Sequence, residues 1–85
     1  MNNLDIARAR FLCRRGMLEL DIILNSYLTY KNKYYEKFFL DNFICLLNEQ
    51  DNTLYEWLIL KKNLPSGNLF DLIIEINDFY FKKHF

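Results

Sequence analysis

Glycine and proline occupy only three of the 85 positions, as Gly16, Pro65 and Gly67. A β-rich domain of this length needs several tight turns, and tight turns draw on Gly, Pro and Asn-Gly pairs. Helices place little demand on such residues. The scarcity predicts an all-α chain, a small single-domain bundle of about five helices over residues 1–85. With 52% hydrophobic and 18% aromatic residues, the chain is too apolar for disorder. Its 26% of charged residues leave no window of about 18 apolar enough for a transmembrane helix. A short domain buries only about 60% of its unfolded surface, so eight Phe, six Tyr and one Trp add needed core area. Such a globule, with a radius of gyration of roughly 12 Å, has no room for a nucleotide-binding domain beside a substrate domain.

The apolar spacing places the elements. Leu4, Ala7, Phe11 and Arg14 predict a first helix over 4–14, with Asn2 or Asn3 as cap. Gly16 ends it, and Arg14-Arg15 sit in its last turn, where positive charge suits the dipole. A second helix starts near Met17, carries Glu19 and Asp21 in its first turn, and fades over Asn25 to Asn32. A third runs from about Lys33 to Asn48, with Tyr35, Phe39, Phe43 and Leu46 or Leu47 as its stripe and Phe38 widening it. Asp51 caps a short fourth helix over 52–60 that holds Leu54, Trp57 and Leu58, with Lys61 and Lys62 at its end. A loop over 63–67 leads to a fifth helix over 68–82, faced by Leu69, Leu72, Ile73, Ile76 and Tyr80. Phe79, Phe81 and Phe85 read equally as core or as a self-association surface.

Little in the chain points to catalysis. There is no GxSxG, phosphate-binding glycine loop or HExxH. Cys13 and Cys45 are the only cysteines, without a CxxC, and His84 is the only histidine, so no metal site is expected. A Cys13–Cys45 disulfide is allowed by count, but reduced thiols are the expectation. Glu19 and Asp21 point about 200° apart on a helix and do not share a site. Lys plus Arg equals Asp plus Glu at 11 each, which argues against a general polyanion binder. Yet all four Arg lie between Arg8 and Arg15, giving residues 1–18 a formal charge of +3. That cluster leaves a helical nucleic-acid reader as an alternative. The residues leave Arg14 to Asp21 open to two readings. One is a solvated helix boundary, with Gly16 as cap and Glu19 paired to an Arg. The other is a surface that docks a protein.

The run Cys13-Arg14-Arg15-Gly16-Met17-Leu18-Glu19-Leu20-Asp21 resembles the signature of the succinate dehydrogenase flavinylation-factor family. The resemblance continues from Asn48 to Trp57-Leu58, through the Pro65 loop and into the last helix, over roughly residues 6–78. Asn52 departs from it, since members often carry Pro there, and the Phe- and Lys-rich tail after Asp78 does not map onto it.

This resemblance implies a small helical assembly chaperone. It would bind the flavoprotein subunit of succinate dehydrogenase, or in some bacteria of fumarate reductase, and promote covalent attachment of FAD to a His of that subunit. The factor needs no catalytic residue and no stably bound cofactor of its own, because positioning alone contributes about 7–11 kcal/mol to well-oriented reactions. Arg15 and Glu19 are the implied polar docking contacts, with Arg14 and Asp21 in support. Gly16 is both a backbone device and a point of close approach. Met17, Leu20 and Trp57 belong to the core. The polar N-terminus resembles neither a signal nor a transit peptide, so a bacterial cytoplasmic member without membrane insertion is expected. Related proteins have also been described as antitoxins paired with a small membrane toxin, which keeps a second interaction role open.

Overall fold

A computed structural model describes residues 3–31 and 37–83, and among them there is no strand. Helix α1 covers Asn3–Leu12, α2 covers Leu18–Lys31 and α3 covers Lys37–Leu47. Helix α4, Asp51–Tyr55, runs straight on into a π-helical turn, Glu56–Leu60, and α5 covers Asn68–Lys83. The all-α bundle read from the sequence is the fold, with a Cα radius of gyration of 11.9 Å.

The core is built from helical stripes at three-to-four spacing. Leu20, Ile23, Leu24, Tyr27 and Leu28 of α2 share the core with Phe39, Leu40, Phe43, Leu46 and Leu47 of α3. Leu72, Ile73 and Ile76 of α5 and Leu54, Trp57 and Leu58 complete it, with Ala9 and Cys13 beneath α1. Helix α1 packs on α3 and α2, while α5 packs on α2, α3 and the π-helical turn. Tyr27 is the aromatic centre, with the rings of Phe39, Phe43 and Phe79 5.8, 5.8 and 5.7 Å away. Its hydroxyl donates to Glu75, whose carboxylate also pairs with Lys31 Nζ at 3.1 Å. That polar tie lets a tyrosine take a core position and fastens α2 to α5.

Several boundaries differ from the sequence reading, each for a physical reason. Helix α1 stops at Leu12, because Arg14 N–H bonds Phe11 O three residues back and Arg15 N–H turns away to Asp21. Arg14 and Arg15 therefore stand beyond the helix rather than in its last turn. Helix α2 does not fade at Asn25 but persists to Lys31. Asn25 Nδ2 donates to Asp21 O one turn back at 3.0 Å, and burial of Tyr27 and Leu28 holds the following turn. Asp51 is not the cap of α4. Gln50 occupies that place in an extended conformation with no side-chain cap bond, and the Asp51 carboxylate is drawn to Arg15 instead.

The fourth helix ends as a π-helical turn. Lys61 closes it in the left-handed region at φ 59°, and Lys62 N–H reaches back to Glu56 O at 3.0 Å. Asn63, also left-handed at φ 51°, accepts a hydrogen bond from Trp57 Nε1 at 3.0 Å. Helix α5 extends to Lys83, and half-buried Phe79 packs against the core cluster, stacked on Tyr30 at 4.7 Å. Phe81 lies under Lys61 Nζ, 4.4 Å from its ring centre. The expected roles of Asn2, Tyr35, Phe38 and Phe85 fall outside the described residues or side chains. Asn3 is the first described residue of α1. Among the described residues, no helix is long and apolar enough to cross a membrane.

Candidate functional site

The link between α1 and α2, residues 13–17, sits where α1, α2 and the α3–α4 corner meet. Gly16 makes the reversal at φ +82°, a region L side chains rarely adopt. A Cβ built there would meet nothing within 4 Å. The demand for glycine is torsional within the chain, and the space above it is open.

Arg15 is held from two sides. Its backbone N–H donates to Asp21 Oδ1 at 2.6 Å, which ties the link to the first turn of α2. Its guanidinium turns the other way. Nη1 donates to Leu12 O at 3.0 Å and Leu47 O at 2.8 Å, and Nη2 donates to Glu49 O. Nε donates to Asp51 Oδ1 at 2.8 Å. The guanidinium thus closes the carbonyl ends of α1 and α3 and pairs with the first residue of α4. Only a planar fork with donors on several sides reaches this set of acceptors. The Arg15 side chain is 13% exposed and that of Asp51 37%.

The remaining motif residues face outward. Arg14, Gly16 and Glu19 are exposed, while Asp21 is half-buried beneath the link. The Glu19 side chain has no hydrogen bond or ion pair among the described residues, so the Arg–Glu pairing of the solvated-boundary reading is absent there. Arg15 pairs with Asp51 instead. Beside Glu19, Leu18 and Ile22 are 70% and 43% exposed. They line a shallow groove of about 260 Å³ with Ile59 and Phe81. Met17 packs against the core, and Leu20 and Trp57 are buried within it.

The surroundings offer little chemistry of their own. Both cysteines are free, Cys13 buried and Cys45 exposed. Burial pushes the Cys13 thiol up to about 12, outweighing Arg10 and Arg15, which pull it down. It is a neutral thiol at physiological pH rather than a thiolate nucleophile. Burial and the Glu75 carboxylate likewise raise Tyr27 above the usual phenol range. Among the described residues, no group of three or more His, Cys, Asp or Glu could hold a metal ion. Arg10 is also turned inward, its Nη1 reaching Thr29 Oγ1 at 3.0 Å and Asn25 Oδ1 at 3.3 Å. Of the four arginines that suggested nucleic acid, only Arg8 and Arg14 are exposed.

The structure thus joins two groups that the sequence motif runs together. Arg14, Gly16 and Glu19 are exposed, Glu19 lining an apolar groove with Leu18 and Ile22, and Arg15 with Asp21 fasten the link to the bundle. Asp51 was missed as part of the site. It lies 36 residues from Arg15, and no local pattern links the two. The arrangement defines a small helical protein whose α1–α2 turn is tied to the bundle by Arg15 and Asp21.

Comparison with known proteins gives the family. A sequence profile described as "Flavinator of succinate dehydrogenase" matches residues 7–80. A FAD assembly factor SdhE from Shewanella oneidensis is 33% identical over 78 residues, covering 89% of this chain and 93% of the relative. One from Legionella pneumophila is 37% identical over 73 residues, 86% and 91% of the two chains. One from Coxiella burnetii is 42% identical over 52 residues, 61% and 63% of the two. No solved structure shows a significant match. The chain belongs to the succinate dehydrogenase flavinator family.

Proposed function

We propose that this protein is an assembly factor that binds the flavoprotein subunit of succinate dehydrogenase and promotes covalent attachment of FAD to it. The observation that carries this reading is the family match over residues 7–80, which takes in the whole α1–α2 link and its supports. The docking surface is the exposed edge of Arg14, Gly16 and Glu19 with the adjoining groove of Leu18 and Ile22. Gly16 lets the partner's backbone approach closely. Glu19 offers a carboxylate to a cationic group of the partner, and the groove takes an apolar side chain.

The factor supplies orientation. The flavin and the His that bonds to it both belong to the partner, and FAD is not stably held by the factor. By holding the apo-subunit in one arrangement, the factor brings the His to the flavin, part of the advantage that positioning gives to a bond-forming step. No catalytic residue of this chain is required. The protein acts in the bacterial cytoplasm, where the subunit is assembled.

The test is direct. The flavoprotein subunit is produced with FAD, with and without the factor, then denatured so that only covalently bound flavin fluoresces in the gel. A band that brightens with the factor supports this reading. An equal band with and without it, from a folded factor and a competent subunit, refutes it.

A further inference from the structure

The two motif ions have different fates in the fold: Glu19 is exposed, and Arg15 is consumed by contacts within the chain. We infer that Arg15 is a positioning residue and that Asp51, at the start of α4, is its necessary partner. Together they hold the Gly16 turn in the geometry the flavoprotein subunit recognises. The inference rests on the docking reading above and assigns a role to Asp51 that the motif does not contain.

The geometry carries it. The Arg15 side chain has no donor nitrogen left without an acceptor in the chain. Nε goes to Asp51, Nη1 to Leu12 O and Leu47 O, and Nη2 to Glu49 O. With 13% exposure it offers little surface to another protein. Its own backbone N–H is tied to Asp21 at 2.6 Å. Arg15 is therefore fixed at both ends, and Gly16, its neighbour, has no side chain to hold the turn. Arg15 is the residue that ties Arg14 and Gly16 to α3 and α4, next to Glu19 at the start of α2.

Asp51 matters because the other three acceptors of the guanidinium are neutral carbonyls. A nearly buried cation without its carboxylate leaves an uncompensated charge, which favours turning the side chain out to water. The turn would follow it. This also accounts for Asp51 being the first residue of α4 and not its cap: its carboxylate is committed elsewhere.

The test uses the full chain and four variants: Asp51→Asn, Arg15→Lys, the double variant, and Glu19→Ala. Two quantities are read at a temperature where circular dichroism matches the unsubstituted protein. The first is amide hydrogen exchange in residues 14–19 and in α5, without any partner. The second is the factor concentration giving half-maximal covalent flavin in the flavoprotein subunit, and the plateau reached. Positioning predicts that Asp51→Asn speeds exchange in residues 14–19 about tenfold while α5 stays protected, as local opening does. The half-maximal concentration rises by about tenfold with the plateau kept, and the double variant is no worse than the single ones, the signature of one coupled unit.

Arg15→Lys keeps the charge but not the fork, so it fails to restore either quantity. Unchanged exchange in both Asp51→Asn and Arg15→Lys overturns the inference whatever the partner does. Normal binding by Asp51→Asn also overturns it, and binding retained by Arg15→Lys shows that Arg15 contributes only charge. Additive losses in the double variant show two separate contacts and overturn it too. If turn exchange responds as predicted but Glu19→Ala supports flavinylation fully, the clamp stands and the docking edge is what fails.

Discussion

At Gly16 the chain needs a torsion, not a space. A Cβ there meets nothing within 4 Å, yet φ is +82°. Gly16→Ala should therefore cost about 1–2 kcal/mol through left-handed strain, seen as a lower melting temperature. The same change with no loss of stability would mean that the turn relaxes freely. This glycine was legible from sequence, because a Gly after an apolar stripe is a helix-end signal. Asp51 was not: a carboxylate before a helix reads as a cap, and its real partner is 36 residues upstream. Cys13 carries a second prediction at this scale. Its thiol is raised from 9.0 to about 12 by burial, so the folded state holds that proton more tightly than the unfolded one. The stability it contributes is complete below about pH 9 and is lost as pH rises towards 12. Tyr27, raised from 10.0, adds to the same alkaline loss. Melting temperature measured against pH should fall steeply from pH 9 upward, and Cys13→Ala should flatten part of that fall. An identical slope in the variant would contradict the assignment.

Elements were readable where a stripe of large apolar side chains repeats, as in α2, α3 and α5. They were misread where polar residues do structural work. Asn25 looks like the end of a helix, but its amide bonds Asp21 O in the helix and its carbonyl oxygen accepts from Arg10. The π-helical turn at Glu56–Leu60 has no signature in a short apolar segment. Its end is fastened by Trp57 Nε1, which donates to Asn63 O, while Asn63 Nδ2 donates to Glu56 Oε1 at 3.0 Å. Trp57→Phe keeps an aromatic ring in the core but leaves Asn63 O without that donor. It should cost about 1 kcal/mol in chemical denaturation, the usual net worth of one hydrogen bond. A loss near zero would show that water replaces the indole, and that the turn is fixed by Lys61 and Asn63 backbone geometry alone.

Across the whole molecule, the residues that support the fold are distinct from the exposed motif residues. Apolar stripes, the Tyr27 cluster and the inward arginines Arg10 and Arg15 hold the bundle. Arg14, Gly16 and Glu19 are left exposed, with the Leu18–Ile22 groove beside Glu19. The sequence motif drew attention to the stretch Arg14 to Asp21. It did not separate the exposed residues from those that face inward, because that depends on where α3 and α4 end. The central claim is that Glu19 serves the partner and not the fold, and one experiment tests it directly. Glu19→Ala is compared with the unsubstituted factor in denaturing-gel flavin fluorescence of the succinate dehydrogenase flavoprotein subunit, with melting curves run in parallel. The prediction is an unchanged melting temperature, since the Glu19 side chain has no bond to lose among the described residues, together with loss of the brightened band. A fully bright band with Glu19→Ala, or a band lost only because the variant unfolds, would contradict it.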